Sequence, residues 1–436
     1  MTVDANSKLR GISVANDRIF QQLFDIGTRE QLIANYKKVR ELTRTLVAPL
    51  SPEDQQLQSM DDASPTKWHL AHTSWFFEIF VLKDYLEGYG PYTKEFAYLY
   101  NSYYQSIGPQ YDRPKRGVIS RPSVDEIVGY RKWTDEKMLE CIANVSDRDF
   151  SKLYSLVTLG INHEQQHQEL LLTDIKHAFS LNPLYPKYKE CKREKSVSAP
   201  LDWLSFDGGQ FRIGYEGKNF SYDNEGPAFD MLLQPYQLAS RLVTNREFLA
   251  FIEDGGYENP TFWLSDGWYW VNRGGIKKPL YWQKEGKWHY YTLGGYLPIE
   301  MDEPVCHVSF FEADAFARWS GARLPTEFEW EVACPNSISQ KHLLNLDCLH
   351  PKSECSHGLV QMIGDVWEWT SSPYTGFPNF NPVQGPIGEY NGKFMCNQIV
   401  LKGGSCVTPL DHIRSTYRNF FPPEIRWQFC GFRLAK

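Results

Sequence analysis

Two histidines four residues apart are the strongest chemical signal in this chain of 436 residues. His163 and His167 stand in the segment NHEQQHQE. In a helix, both imidazoles project from one face and can reach a single cation. The spacing is also that of H-E-x-x-H zinc proteases, in which Glu164 would act as a general base. The pair alone does not decide between a metal site and two solvated histidines.

A third histidine stands in another segment, KWHLAHTSWFFE, which is also predicted to be helical. It contains His69 and His72, and either could serve as a ligand. The apolar side chains that mark the core face are Leu70, Phe76, Phe77 and Phe80, and His72 falls close to them. We expect His72, His163 and His167 to bind one metal and to leave coordination positions open. Imidazole ligands suit iron, copper, zinc or nickel, so the ligand type does not fix the metal.

Composition excludes several classes of partner. The formal net charge is −7, which argues against a nucleic-acid partner. No segment approaches the ~18 consecutive apolar residues of a membrane helix, and the first residues do not resemble a secretory signal. The nine cysteines are odd in number and include no C-x-x-C pair. We expect a cytoplasmic protein with reduced, mostly buried thiols.

The first part of the chain predicts four amphipathic helices. Thr28 with Gln31, and Ser123 with Glu126, are capping boxes that begin the first and third helices. The second is expected from residue 66 to 86 and the fourth from 149 to 178. A four-helix bundle commonly builds metal sites from facing helices. The long connection over residues 87–122 is expected to be functional.

The second part of the chain has a different sequence pattern. A basic stretch over residues 182–200 is interpreted as a solvated linker. Beyond it come short strands, Gly-rich turns and two helices with capping boxes, at Thr244 with Glu247 and at Ser309 with Glu312. We predict an α+β protein of two domains, a helical bundle over residues 1–195 and a loop-rich domain over residues 196–436.

Several motifs together resemble one family, the ergothioneine-synthesising iron(II) sulfoxide synthases. They are SPTKWHLAH and NHEQQHQE in the first part, with HIRSTYRNFF and GFRLA near the C-terminus. The first part is similar to the DinB-like four-helix domain of that family. The second is similar to its formylglycine-generating-enzyme-like domain, which is related to C-type lectin folds and carries RLPTEFEWE and GDVWEW. The combination of both parts is specific to the family.

The resemblance implies a non-haem Fe(II) enzyme with O₂ as co-substrate. It would join the thiol of cysteine to carbon 2 of the imidazole of hercynine and give hercynyl-cysteine sulfoxide. The partners are then small molecules, with γ-glutamylcysteine as the alternative thiol and a homo-oligomer left open. In this family, Gln166 matches the residue that contacts the substrate imidazole. Asn419 matches the contact to the carboxylate or betaine end, and Phe420 offers an aromatic face to the trimethylammonium group.

The resemblance also assigns roles in the long loop. Tyr103 and Tyr104 resemble a tyrosine pair that donates a proton during the oxidation and suppresses thiol dioxygenation. Arg113 and Arg116 resemble the arginines that bind the carboxylate of the thiol substrate, a task suited to a guanidinium.

Two departures from related patterns narrow the expected substrate. Phe421 stands where members that use γ-glutamylcysteine carry Asp, which favours free cysteine. Formylglycine-generating enzymes bind copper through two cysteines after the GGS turn, whereas this chain has Cys406 with no such partner. Oxidation of a protein substrate is therefore disfavoured.

Four other functions remain as alternatives. An ovothiol-type synthase would attack another imidazole carbon of histidine, and a thiol dioxygenase would make sulfinic acid. A non-enzymatic alternative is a bundle fused to a lectin-like binding module. A zincin-like hydrolase fits least, because the third histidine lies upstream of the pair.

Overall fold

The computed structural model describes residues 25–191, 193, 197–334, 342–383 and 385–436. They form two compact units. Of the described residues, the first unit contains 25–175 and two later segments, Glu216–Asp223 and Phe380–Lys393. The second contains Lys176–Tyr215, Asn224–Asn379 and Phe394–Lys436. The predicted domain boundary near residue 195 stays a prediction. The predicted α+β class is confirmed.

Helices dominate the first unit. They are α1 (Arg29–Val47), α2 (Thr66–Phe77), α3 (Phe96–Leu99), α4 (Val124–Asn144) and α5 (Asp147–Ser180). Helix α2 continues through a π-helical turn (Glu78–Leu82) and ends with a last turn (Lys83–Tyr85). Short 3₁₀ helices occur at Asp54–Gln56, Arg113–Val118 and Pro386–Glu389. No helix among the described residues is both long enough and apolar enough for a membrane span.

The predicted capping boxes begin α1 and α4. The Thr28 and Ser123 side chains each accept a hydrogen bond from the third residue of their helix, and the Gln31 and Glu126 side chains reciprocate. Buried side chains from all four long helices then share one core: Leu32, Tyr36, Val39, Phe77, Val81, Leu82, Met138, Cys141, Ile142, Leu153, Val157 and Ile161. The hydrophobic periodicity of the sequence therefore becomes the interior of a bundle.

A glycine allows close approach of the two helices that carry the histidines. Gly160 lies on α5 against Phe77 of α2, and a Cβ at this position would come within 2.4 Å of the Phe77 ring. Any larger residue would force the Phe77 ring or the helices themselves to move. Because Gly160 is three residues before His163 and Phe77 is five residues after His72, this contact helps set the separation of the histidines.

Short strands and four helices build the second unit. The strands are β1 (Trp203–Phe206), β2 (Gly209–Ile213), β3 (Phe229–Leu233), β4 (Tyr236–Ala239), β5 (Trp282–Glu285), β6 (Lys287–Thr292), β7 (Gly295–Pro298), β8 (Trp367–Pro373), β9 (Ile399–Lys402), β10 (Asn419–Phe421) and β11 (Cys430–Gly431). The helices are α6 (Asn245–Glu253), α7 (Ser265–Gly274), α8 (Phe310–Trp319) and α9 (Glu327–Ala333). The largest sheet has the order β10-β9-β8-β11, antiparallel except for the parallel pair β11 and β8.

The motifs typical of this second unit have structural roles. Arg433 of GFRLA forms a fully buried ion pair with Glu368 of GDVWEW, with Nη2 donating to Oε1 at 3.0 Å. In RLPTEFEWE, Thr326 and Glu329 form a capping box on α9, and Arg323 binds the Glu329 carboxylate. In each pair the arginine and the glutamate satisfy each other's charge, so loss of one partner would leave the other uncompensated.

The prediction that all thiols are reduced is wrong at one pair. Cys191 and Cys348 form a disulfide, with their Cα atoms 4.8 Å apart. They are 157 residues apart in the chain, so no spacing in the sequence indicated the pairing. Of the seven other cysteines, Cys355 and Cys396 are exposed and the remaining five are buried, as expected.

Candidate metal centre and active site

Three imidazoles converge in the first unit. His72 comes from α2, while His163 and His167 stand one turn apart on α5. The Nε2 atom of His163 lies 3.2 Å from Nε2 of His72 and 3.1 Å from Nε2 of His167. All three ligand atoms lie within 4.8 Å of one another. The structure thus brings together the three ligands expected from the sequence.

The protonation of this cluster suits a metal ion. Burial lowers the pKa of His163 to about 3. Burial and the neighbouring imidazoles also hold the pKa values of His72 and His167 well below their usual range. Three neutral imidazole nitrogens this close around one point can bind a divalent cation. The donor set therefore fits a metal with positions left open for substrates.

Hydrogen bonds to the Nδ1 atoms, on the side of each ring away from the metal position, orient two of the ligands. Nδ1 of His72 lies 2.6 Å from the Tyr100 carbonyl oxygen, to which it donates when Nε2 binds a metal. Nδ1 of His167 lies 2.8 Å from Nδ1 of His69, and Nε2 of His69 lies 3.1 Å from Oδ2 of Asp174. Metal binding at His167 Nε2 thus places its proton on Nδ1, with His69 as acceptor. His69 must then donate to Asp174.

Aromatic rings sandwich His72. The Trp68 ring stacks on its imidazole at 4.6 Å and the Trp75 ring stacks at 5.5 Å. The Arg116 guanidinium also lies on the Trp68 ring, 3.5 Å from a ring centre. This stack restricts the rotation of His72 and keeps bulk water from one side of the ligand.

Glu164, the candidate base of a hydrolase, serves the bundle core. Its carboxylate accepts hydrogen bonds from Arg40 (2.9 Å) and Thr43 (2.6 Å) and also binds Arg131. Burial raises its pKa, but the two arginines outweigh burial and lower the pKa to about 2. A fully buried carboxylate engaged in this way cannot activate a water at the metal, so this geometry disfavours a zincin-like hydrolase.

Tyr104 is buried beside the helix that carries His72, and its neighbour Tyr103 is half-buried. The Tyr103 hydroxyl donates to the Tyr104 hydroxyl at 3.4 Å. Tyr104 packs against Trp75 and Phe80, with ring centres 5.7 Å and 5.1 Å away. Burial raises the pKa of both phenols above the usual value for tyrosine. Both therefore remain protonated at neutral pH and can donate, but not abstract, a proton.

Gln166 has a partner that the sequence did not indicate. Its Oε1 accepts a hydrogen bond from the hydroxyl of Tyr390. The Tyr390 ring lies 5.8 Å from the His163 ring and 6.1 Å from the Tyr103 ring. Tyr390 therefore joins the residue expected to contact the substrate imidazole to a metal ligand and to the tyrosine pair.

The carboxylate of Glu389, the residue before Tyr390, is hydrogen-bonded to the long loop over residues 87–122. Glu389 accepts hydrogen bonds from the backbone N–H groups of Gln105 and Ser106, both at 3.0 Å. These residues directly follow the tyrosine pair. The loop over residues 87–122, expected to be functional from its length, is thereby held next to Tyr390.

The two candidate thiol-binding arginines differ in environment. Arg113 is half-exposed and lies 3.8 Å from the Asp62 carboxylate. Arg116 is buried, and its Nη1 donates to the Ser64 hydroxyl at 2.9 Å, while its Nε has no hydrogen-bond partner among the described residues. Burial lowers the pKa of the Arg116 guanidinium to about 9, and Arg113 adds repulsion. Because it is buried, the charge of Arg116 would gain more from binding an anion than the charge of Arg113.

The remaining expected substrate contacts lie in the second unit, on β10. The Asn419 side-chain oxygen accepts the backbone N–H of Phe420 at 2.9 Å. The Phe420 ring stacks on Tyr374 with ring centres 4.0 Å apart, and Phe394 lies at 5.9 Å. These rings form an aromatic cluster within the unit, and the roles of Asn419 and Phe420 toward a substrate stay predictions.

Three residues of the site were missed as such from the sequence. His69 was considered only as an alternative ligand, although it supports His167. Asp174 follows His167 by seven residues, two helical turns, and this spacing could have indicated it. Tyr390 is 224 residues from Gln166, and no pattern in the sequence indicated their contact.

The two parts of the chain match two families of domains. The DinB superfamily matches residues 35–171. The sulfatase-modifying factor enzyme 1-like domain matches residues 188–345 and 346–436. In the second part, the formylglycine-generating enzyme of Thermomonospora curvata is 27% identical, covering 53% of this chain and 92% of its own length.

Two mycobacterial proteins are similar over almost the whole chain. The hercynine oxygenase of Mycolicibacterium smegmatis is 32% identical, over 93% of this chain and 99% of its own length. The hercynine oxygenase of Mycobacterium tuberculosis is 31% identical, over 93% of this chain and 98% of its own length. These two hercynine oxygenases thus match the chain across both of its domains. The resemblance found from the sequence motifs is confirmed, and the chain belongs to the hercynine oxygenase family.

Proposed function

We propose that the chain is an Fe(II)-dependent sulfoxide synthase that uses O₂ to join the thiol of cysteine to carbon 2 of the hercynine imidazole. The observation that carries the proposal is the convergence of His72, His163 and His167 within a full-length relationship to hercynine oxygenases. In the reaction, one C–H bond and one S–H bond are lost and a C–S bond forms. One oxygen atom ends in the sulfoxide and the other in water, so the electrons balance.

The metal site requires only the three imidazoles from the protein. Iron(II), when bound there, would supply the one-electron and O₂ chemistry that side chains lack. The chain's own task is to keep the ligands neutral, oriented and shielded. The buried His69–Asp174 pair, the Tyr100 carbonyl and the two flanking tryptophans support this task.

Gln166 and Tyr390 are suited to orient the imidazole substrate. Gln166 is one residue before the ligand His167 and three after His163, so its side chain leaves α5 beside the metal position. Its Oε1 accepts a hydrogen bond from the Tyr390 hydroxyl, which fixes the orientation of the amide. The amide N–H groups are donors of the kind that a ring nitrogen of hercynine accepts. We further propose Asn419 and Phe420 as contacts to its carboxylate and trimethylammonium ends.

Arg116 is the proposed anchor for the carboxylate of the thiol substrate. Within the part of the chain that the structure describes, its guanidinium makes hydrogen bonds only to serine hydroxyls, at 2.9 Å and 3.4 Å. Asp174 attracts this buried cation, but no carboxylate among the described residues forms an ion pair with it, and a substrate carboxylate would reduce the cost of its burial. Arg113, which is half-exposed, would add attraction at the entrance. Cysteine is the proposed thiol because Phe421 offers no charge for a γ-glutamyl group.

Tyr103 and Tyr104 are the proposed proton donors. Their raised pKa values keep both phenols protonated, and the hydrogen bond between them allows one proton to follow the other. Supply of this proton would favour C–S bond formation over oxidation of the thiol alone. The arrangement therefore supports a synthase over a thiol dioxygenase.

Oxygen uptake distinguishes the candidate functions. An oxygen electrode would follow the Fe(II)-loaded protein with cysteine alone, with hercynine alone and with both. We expect rapid uptake only with both substrates, because the site must hold both before oxidation. Equal uptake with cysteine alone would favour a thiol dioxygenase. Metal binding with no uptake under any condition would favour the binding-module alternative.

A further inference from the structure

A small half-enclosed cavity of about 50 Å³ lies in the first unit beside the turn of α5 that precedes His163. Its apolar walls are formed by Leu159, Phe220, Val383 and Ile387 and by the rings of Tyr222 and Tyr390. Leu159 stands four residues before His163, so both side chains project from the same helix face. Tyr390 lines the cavity and also lies 5.8 Å from the His163 ring. One aromatic ring therefore separates the cavity from a metal ligand.

Three polar side chains at the rim of this cavity are held by hydrogen bonds. The Asn391 amide donates to the Asp223 carboxylate at 2.6 Å, and the Ser155 hydroxyl donates to the backbone carbonyl of Ser151 at 3.1 Å. An ordered water needs two to four polar partners, whereas apolar surfaces accept small apolar molecules. The walls, which are mostly apolar, thus favour an uncharged, apolar occupant.

Size restricts the occupant further. A volume of about 50 Å³ exceeds the ~10–15 Å³ that a single water requires. It is far below the roughly 300–1,000 Å³ of pockets that bury organic ligands. The enclosed space therefore suits a diatomic gas better than an imidazole betaine or an amino acid.

We propose that this cavity is the binding site from which molecular oxygen enters the metal centre, with Tyr390 as the last side chain on the route. The inference rests on the proposed O₂-dependent function. The Tyr390 ring is held by stacking on Tyr222, at 5.5 Å with an interplanar angle of 10°, and by its hydrogen bond to Gln166. Gln166 is also the proposed contact to the substrate imidazole. Its hydrogen bond to Tyr390 therefore connects the substrate with the side chain on the proposed oxygen route.

Filling the cavity tests the proposal. In Ile387→Phe, the added ring occupies the space, and we expect the KM for O₂ to rise on the order of fivefold or more, with unchanged KM values for hercynine and cysteine. Crystals of the wild-type protein pressurised with xenon should show a xenon peak between Leu159, Ile387 and Tyr390. The peak should be absent from the variant. Val383→Leu provides a second, milder filling at the same walls.

A matched control is Val128→Phe, at a position on α4 that is 52% exposed. It adds the same ring at the surface and should change neither the KM for O₂ nor the xenon peak. An unchanged KM for O₂ in both filling variants, or a rise in the KM of an organic substrate instead, would overturn the proposal. Failure of the proposed function is a different result, the absence of sulfoxide from the wild-type protein at every oxygen concentration.

Discussion

The Nδ1 atoms of His69 and His167 lie 2.8 Å apart, so a candidate metal ligand is supported by a second imidazole. Only one proton can lie between the two nitrogens. The carboxylate of Asp174, 3.1 Å from the other nitrogen of His69, decides where that proton is. As acceptor it draws the His69 proton to Nε2, which leaves Nδ1 to accept from His167. The chain Asp174–His69–His167 therefore presents the Nε2 lone pair of His167 to the metal.

Asp174→Asn tests this chain of hydrogen bonds. The amide removes the charge that fixes the His69 tautomer, and we expect the affinity for Fe(II) to fall about 10–100-fold. Anaerobic titration against a chelating dye measures it. Asp84→Asn, at an exposed carboxylate, is the control and should bind Fe(II) like the wild-type protein. Equal affinity in Asp174→Asn would show that the chain does not support metal binding.

Gly160→Ala should disturb the metal centre through helix packing. The new Cβ would meet the Phe77 ring at 2.4 Å, and the Phe76 ring, which lies 4.6 Å from His163, is the next neighbour. We expect a loss of about 1–3 kcal/mol in the free energy of unfolding, as for other overpacked cores, together with weaker Fe(II) binding. Chemical denaturation and dye competition measure the two effects.

Gly90→Ala is the matched control for this substitution, because a Cβ there has no neighbour within 4 Å. It should leave both quantities unchanged. If Gly160→Ala retains the wild-type stability and metal affinity, the close approach of α2 and α5 is not what sets the separation of the histidines.

Removal of either hydroxyl of the tyrosine pair should change the product ratio. In Tyr104→Phe and Tyr103→Phe, one hydroxyl of the proton-donating pair is lost. We expect sulfoxide formation to slow by about 100-fold, the low end for a positioned general acid, and cysteine sulfinic acid to increase. Liquid chromatography of the products measures the ratio. Tyr98→Phe, at an exposed tyrosine, should leave it unchanged, and an unchanged ratio in both members of the pair would refute their role.

Glu164→Gln separates a structural from a catalytic carboxylate. The substitution leaves the buried Arg40 and Arg131 without their shared anion, and we expect the free energy of unfolding to fall by about 3 kcal/mol. Urea denaturation measures it. The control is Glu140→Gln, in an exposed pair with Lys137 2.7 Å away, which should change stability by under about 0.5 kcal/mol. A fully stable Glu164→Gln protein would contradict the structural role.

Local signals in the sequence predicted the helices well. Capping boxes at Thr28, Ser123, Thr244 and Ser309 all mark helix starts, since the pattern reports a local hydrogen-bonding requirement. The three expected ligands meet because periodicity places each on a core face. A pattern of this kind depends only on neighbours within one helix.

Contacts between segments far apart in the chain could not be predicted from the sequence. The Cys191–Cys348 disulfide and the Tyr390–Gln166 hydrogen bond join residues that are 157 and 224 positions apart. Nothing in either local environment specifies its partner. His69 shows a different difficulty, because a helical histidine near a metal site has the same pattern whether it binds the ion or supports another ligand.

The central claim is tested most directly by mass spectrometry of an aerobic reaction of the Fe(II)-loaded protein with hercynine and cysteine. Parallel reactions contain γ-glutamylcysteine in place of cysteine, or histidine in place of hercynine. We predict hercynyl-cysteine sulfoxide as the main product, and its loss in His72→Ala. Cysteine sulfinic acid as the main product, or no product from any pair of substrates, would contradict the assignment as a sulfoxide synthase.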